Sequence, residues 1–242
     1  MARKAARPKA RRSPAKPAAP PPAGTPREKI IAAFMEMLAE QSIETISLSA
    51  IAERSGVSLA DFRGEFGSTL DILAAHSKEL DRQVLAGMDP DLEEESPRER
   101  LFDVLMRRLD LLTPHKEAIR SLLRSARRDP PLALALNAMA VRSQQWMLTA
   151  AGIGASGPKG MVRAQGLALL FANVLRTWID DDEDQTRTLA ALDSQLARGQ
   201  RFAGLLDELC RIPEAACAFR ERLRGARRSA RYGRDADDRL VM

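Results

Sequence analysis

From Pro26 onward the apolar residues recur at intervals of three and four, which lines them up along one face of a helix and not along a strand. Ile30, Phe34 and Leu38 set a first helix over about 27–41, with Pro26 well placed to start it. Leu48, Ile51 and Ala52 give a short second helix closed by Gly56, and Leu59, Phe62 and Phe66 a short third. Leu70, Leu73, Leu80 and Val84 mark a longer fourth. Leu101, Leu105 and Leu112 mark a fifth that stops near Pro114, and Ile119, Leu122 and Ala126 a sixth that stops before Pro130 and Pro131. Leu132, Leu136 and Ser143 define a seventh, Leu167, Val174 and Trp178 an eighth, and Leu189, Leu192, Leu196 and Leu206 a ninth, with a short helix near 213–225. No alternating strand pattern and no fixed repeat occurs, so the chain is predicted to be all-α. Composition agrees, since apolar residues make up 45% but aromatic ones only 4%, leaving a core of Leu, Ala, Ile, Val and Met.

The net charge of +5 over 242 residues is unevenly divided. Residues 1–26 carry Arg3, Lys4, Arg7, Lys9, Arg11, Arg12 and Lys16, no acid, and half of the fourteen prolines. Such a stretch buries too little apolar surface to offset ordering entropy and is expected to be a disordered basic arm. Residues 220–242 are also basic, at +4, so 27–219 is acidic, at −6. No apolar run marks a secretory signal, and the most apolar stretch, 161–179, is broken by Arg163, Gln165, Asn173 and Arg176. A cytoplasmic chain without a membrane partner is expected. Cys210 and Cys217 are too few for a disulfide framework, and two lone histidines offer no zinc cluster.

The most informative segment lies between the second and third helices. Ala52, Gly56 and Phe62 fall at the spacing of a helix-turn-helix: a small residue for close helix approach, a glycine for a left-handed turn, and a large apolar anchor. The run from Ser47 to Leu73, with its Gly56-Val57-Ser58 turn and Phe66-x-Ser68 junction, resembles the N-terminal module of TetR-type transcriptional regulators. That resemblance covers about residues 27–75. It implies an N-terminal three-helix DNA-binding domain at 27–75, a C-terminal helical ligand-binding and dimerisation domain at 76–225, and a disordered tail at 226–242. It further implies a homodimer that binds a palindromic site on double-stranded DNA, most simply as a repressor, and is released by a small-molecule effector.

Within this frame Arg63 and the hydroxyls of Ser47, Ser58, Ser68 and Thr69 are expected to hold the DNA backbone. Ala60 and Asp61 are expected to approach base edges, Asp61 being able to accept from a cytosine amino group, and Leu59 is expected to belong to the same DNA-binding surface. Leu59, Arg63, Glu65 and Thr69 depart from the residues common at these places in the family. Residues 27–75 also carry four cations (Arg27, Lys29, Arg54, Arg63) against eight acids, a net charge of −4, whereas DNA-reading heads draw much of their affinity from positive charge. Two readings stay open: a regulator whose basic arm supplies the missing charge, or a TetR-like helical ligand or lipid carrier that does not bind DNA.

A ligand pocket is expected around Met106, Leu109, Met139, Trp146, Met147, Phe171 and Asn173, on the fifth, seventh and eighth helices. The stripe Leu192, Leu196, Phe202 and Leu206 is expected to form the dimer interface. Gly152, Gly154 and Gly157 spell a dinucleotide loop but follow a helix where that loop needs a strand, so they read as an interhelical turn. Asp180, Asp181, Asp182, Glu183 and Asp184 read as a solvated turn rather than a cation site, and His76 and His115 have no nucleophile at a defined spacing. No cofactor and no enzymatic activity is expected.

Overall fold

The computed structural model describes residues 24–88, 94–182, 184–201 and 204, and every regular element among them is helical. In chain order these are α1 (Pro26–Glu40), α2 (Leu48–Ser55), α3 (Leu59–Glu65), α4 (Thr69–Ala86), α5 (Pro97–Leu112), α6 (Lys116–Ala126), α7 (Pro130–Ala150), α8 (Gly157–Ile179) and α9 (186–201). Short 3₁₀ turns at Ile43–Thr45 and Thr113–His115 link α1 to α2 and α5 to α6. The arm up to residue 23, the helix expected at 213–225 and the tail at 226–242 lie outside the described residues.

Local chemistry sets the boundaries. Thr25 and Glu28 form a capping box, in which the Glu28 N–H donates to the Thr25 hydroxyl and the Thr25 N–H donates to the Glu28 carboxylate. The first helix therefore begins inside what reads as the arm. Ser96 and Glu99 repeat the device at α5, and Asp129 caps α7 ahead of Pro130 and Pro131. At α8 the helix starts about ten residues before its first obvious apolar anchor, because Gly160 lets the turn of residues 152–156 fold back against the helix. A Cβ at Gly160 would fall 2.1 Å from the Ala155 backbone.

Two apolar cores result. The first gathers Ile30, Phe34 and Leu38 of α1, Ile51, Phe62 and Phe66 of the α2–α3 region, and Ile72 and Leu73 of α4. The second gathers Leu80 and Val84 of α4, Leu105 and Leu109 of α5, Met147 of α7, Phe171 and Trp178 of α8, and Leu192 and Leu196 of α9. α4 thus runs through both, and the expected 75/76 boundary falls in the middle of this helix. α6 joins them a second time: Ala118 and Leu122 enter the first core, the Ser121 hydroxyl donates to the Gln41 carbonyl (3.0 Å), and the Ser125 hydroxyl donates to the Glu44 carboxylate (3.0 Å).

The second core holds charge. Asp81 of α4 and Arg108 of α5, both buried, form an ion pair, and the buried Ser143 hydroxyl of α7 donates to the same Asp81 oxygen (2.7 Å). The acidic turn after α8 is less solvated than its composition suggests. Asp181 is buried and accepts from the Thr188 N–H (2.7 Å) and hydroxyl (2.6 Å), which ties the turn to α9 and holds its carboxyl below the usual range. No cluster of metal-ligating side chains occurs among the described residues.

His76 packs edge-on to His115, with ring centroids 4.8 Å apart. Burial pushes the His76 imidazole down from 6.5 to about 4, and the neighbouring His115 and Arg108 push the same way against the weaker pull of Glu79. Burial also lowers His115. A histidine with a depressed folded-state pKa binds its proton more readily when unfolded, so its contribution is complete above pH 6.5 and is lost as the pH falls towards 4. The His76 share of that loss is about 3 kcal/mol. Denaturant midpoints measured across this interval should fall steeply for the native chain and less steeply for His76→Phe.

Candidate nucleic-acid interface

α2 and α3 meet at a turn that only a few residue types can make. Gly56 adopts a left-handed conformation (φ 67°), and the Val57 N–H returns to the Ala52 carbonyl (3.2 Å). Ser47 and Ser58 cap the two helices: the Ala50 N–H donates to the Ser47 hydroxyl (3.2 Å) and the Asp61 N–H to the Ser58 hydroxyl (3.1 Å). Ser68 does the same for α4 through the Asp71 N–H (3.2 Å). Phe62 turns inward beneath α3, with Phe66 edge-on at 6.4 Å, so the opposite face of α3 points to solvent.

That outer face carries Leu59, Ala60, Asp61 and Arg63, all exposed, with Leu59 at 62%. Ser47 and Ser58 are exposed, and Ser68 and Thr69 half-buried; of the eight residues singled out from sequence, Ser58, Leu59, Ala60, Asp61 and Arg63 lie on α3 and its cap, Ser68 and Thr69 at the start of α4, and Ser47 at the start of α2. Their polar groups are partly occupied. The Ser58 hydroxyl donates to the Asp61 carboxylate (2.7 Å) and the Ser68 hydroxyl to Asp71 (2.9 Å). The protruding surface at the start of α3 is therefore the apolar pair Leu59 and Ala60.

The cations of this region are also partly spent. Arg54 makes a two-pronged contact with Glu40 (3.2 and 2.9 Å) and lies 3.9 Å from Glu36, and this contact lowers the Glu40 carboxyl and raises the Arg54 guanidinium. Arg27 pairs with Glu65 (3.5 Å) while stacking over the Phe66 ring (4.9 Å). Arg63 makes no ion pair among the described residues. Arg27 was not singled out from sequence, because only the packing of α1 on α3 carries it to the end of the exposed helix.

The residues expected to line one ligand pocket are not gathered around one. Leu109, Met147 and Phe171 are packed in the second core, Met106 leans on it, and Met139 packs on the first. Trp146 is 57% exposed on the outer face of α7. Asn173 alone of the seven lines a groove, an open one of about 630 Å³ between the start of α5, the end of α7, α8 and α9. Periodicity identified buried positions there, but a helix buries its largest residues whether or not a cavity adjoins them. The expected dimer stripe also changes meaning: Leu192 and Leu196 are buried in the chain's own core, while Phe202 and Leu206 lie outside the described residues. The large apolar side chains left exposed on the two long helices are instead Leu134 and Trp146 of α7 with Met161, Val162 and Leu169 of α8.

The sequence matches no family model and no curated protein. Its fold does match solved structures. A TetR transcriptional regulator from Nitrosomonas europaea aligns over 73% of this chain and 99% of that one, with a TM-score of 0.58 at 21% identity. A TetR regulator from Rhodococcus sp. RHA1 aligns over 72% and 95% (TM-score 0.51, 18% identity), and a TetR-family protein from Syntrophomonas wolfei over 74% and 94% (TM-score 0.53, 15% identity). The chain has the all-α fold of these TetR-type proteins.

Everything on the outer face of α3 hangs on the turn at Gly56. A side chain there would sit in left-handed backbone, at a cost of roughly 1–2 kcal/mol. Gly56→Ala is expected to lower the stability of the chain by that amount in denaturant titration.

Proposed function

We propose that this chain, built on the fold of TetR-type regulators, is a cytoplasmic homodimeric transcriptional regulator that reads a palindromic DNA site with α3 and responds to a small-molecule effector. The observation that carries this reading is the outward face of α3, set by the Gly56 turn and the inward Phe62, with Leu59, Ala60, Asp61 and Arg63 presented together. Leu59 and Ala60 would approach thymine methyl groups, and Arg63 a phosphate, with Ser47, Ser58, Ser68 and Thr69 near the backbone. The exposed apolar residues of α7 and α8 support a self-association surface, since two copies would cover side chains that a monomer leaves in water. Repression is the simplest mode: an effector that favours a spacing of the two heads other than about 34–36 Å weakens DNA binding, and DNA weakens effector binding equally.

A second reading is favoured by the head's net charge of −4, with Arg27 and Arg54 already paired to acids. In it the chain is a TetR-fold ligand or lipid carrier that does not bind DNA.

Selection of bound fragments from random DNA by the full chain separates the two. A shared palindrome is expected. Arg63→Ala should weaken binding to all selected sequences alike and reduce the salt slope by about 1, and Leu59→Gln should change the recovered sequence while leaving that slope in place. Retention of no DNA, with an apolar molecule copurifying, would remove the regulator reading and leave the carrier, whereas retention of DNA without a common sequence would leave a nonspecific nucleic-acid binder acting through the basic arms.

A further inference from the structure

The groove beside α8 and α9 is built differently from the rest of the surface. Its floor is apolar, formed by Leu101, Leu148, Leu167, Leu170 and Leu196. Its edges carry Arg98, Arg163 and Arg198, one from each of three helices. Arg98 holds Asp193 (2.6 Å) and Arg163 donates to the Gly154 carbonyl (3.3 Å), while Arg198 has no ion pair among the described residues. With no acid in the lining among the described residues, the groove joins a hydrocarbon floor to a cationic edge.

Two glycines strengthen the case. Gly166 and Gly199 lie inside α8 and α9, where glycine is disfavoured relative to alanine, and both line the groove. At Gly160, by contrast, the Ala155 backbone leaves no space for a Cβ. A Cβ at Gly166 would meet nothing within 4 Å, and one at Gly199 only Leu170 at ordinary contact distance. Packing among the described residues therefore does not require either glycine; what both do is keep the walls of the groove back. Its volume of about 630 Å³ falls within the range of small-ligand sites.

We propose that this groove is a binding site for a long-chain carboxylate, with the alkyl chain along the leucine floor and the carboxylate held by the arginine edge. Hydrocarbon burial supplies the affinity and the guanidinium groups select the sign of the head group. The site stands under either reading of the function, because it involves no residue of the DNA-facing surface.

Titration calorimetry on the full chain without DNA, using dodecanoate, dodecanol and dodecyltrimethylammonium below their aggregation concentrations, tests this. Dodecanoate should bind at one molecule per chain, at least tenfold more tightly than the cation. Arg198→Gln should weaken dodecanoate about tenfold and leave dodecanol unchanged. Gly166→Leu, which fills the groove, should abolish binding of both while the circular dichroism spectrum and melting transition persist. Should that variant unfold, Gly199→Leu supplies the same test from the facing helix. Equal affinity for anion and cation, or dodecanoate binding unaffected by filling the groove, would overturn the assignment. Absence of binding by all three probes, with self-association lost in Gly166→Leu, would make a second copy of the chain the occupant.

Discussion

The Asp81–Arg108 pair is the contact on which the relation between the two halves of the molecule depends. Both side chains are buried, and a buried charge whose partner is removed costs several kcal/mol, so the helices bearing them cannot slide without opening the pair. Ser143 adds α7 to the same carboxylate oxygen. α4 is thereby locked to α5 and α7 at one point, and the first half of α4 is what carries Ile72 and Leu73 into the other core. A shift of α4 by one residue would rotate those two side chains by about 100° and empty their places beside α1. Through α4 the first core is thus tied to the second.

α6 makes the second attachment, and it is of a different kind. Ala118 and Leu122 are apolar plugs in the head's core, while Ser121 and Ser125 hydrogen-bond to the segment just after α1. Around this seam lies a polar groove of about 530 Å³ lined by Glu40, Glu44, Arg124 and Arg128, so water reaches the junction. The first core is therefore attached at two places of different chemistry, a buried ionic contact along α4 and a polar, groove-lined seam across α6. Under the regulator reading, an effector alters DNA binding only by binding one setting of this seam more tightly than another, since equal affinity shifts nothing.

The helices were legible in the sequence because three- and four-residue spacing survives at every buried stripe, and the turn was legible because Gly56 and Ser58 are restrictive choices. Contacts between distant segments were not. Nothing in local spacing tells that Arg108, at a position that also reads as a solvated one, would turn inward to meet Asp81, or that Asp181 in a run of acids would be buried by Thr188. Thr25 and Pro26 look like the end of a proline-rich arm until Glu28 is seen closing the capping box. Six of the seven pocket candidates lie away from the groove for a related reason: apolar character marks what a helix buries, whereas an open groove is made by what is missing, here the side chains absent at Gly166 and Gly199.

The acidic head is less hostile to DNA than its net charge suggests, because charge that can change partners differs from charge that cannot. Arg27 and Glu65 are both substantially exposed and 3.5 Å apart, the kind of surface pair worth no more than about 1 kcal/mol. A phosphate near the end of α3 could take Arg27 from Glu65 at small cost, and its place over Phe66 would keep the guanidinium in position. Arg54 is another matter, gripped by Glu40 through two hydrogen bonds with Glu36 close by. The head therefore offers Arg63 outright and Arg27 by exchange, and keeps Arg54 for its own structure. With so few free cations among the described residues of the head, discrimination under the regulator reading would fall on the apolar start of α3. Under the same reading most of the salt-dependent part of the affinity would fall on the cations at Arg3, Lys4, Arg7, Lys9, Arg11, Arg12 and Lys16, with Arg63 adding its share.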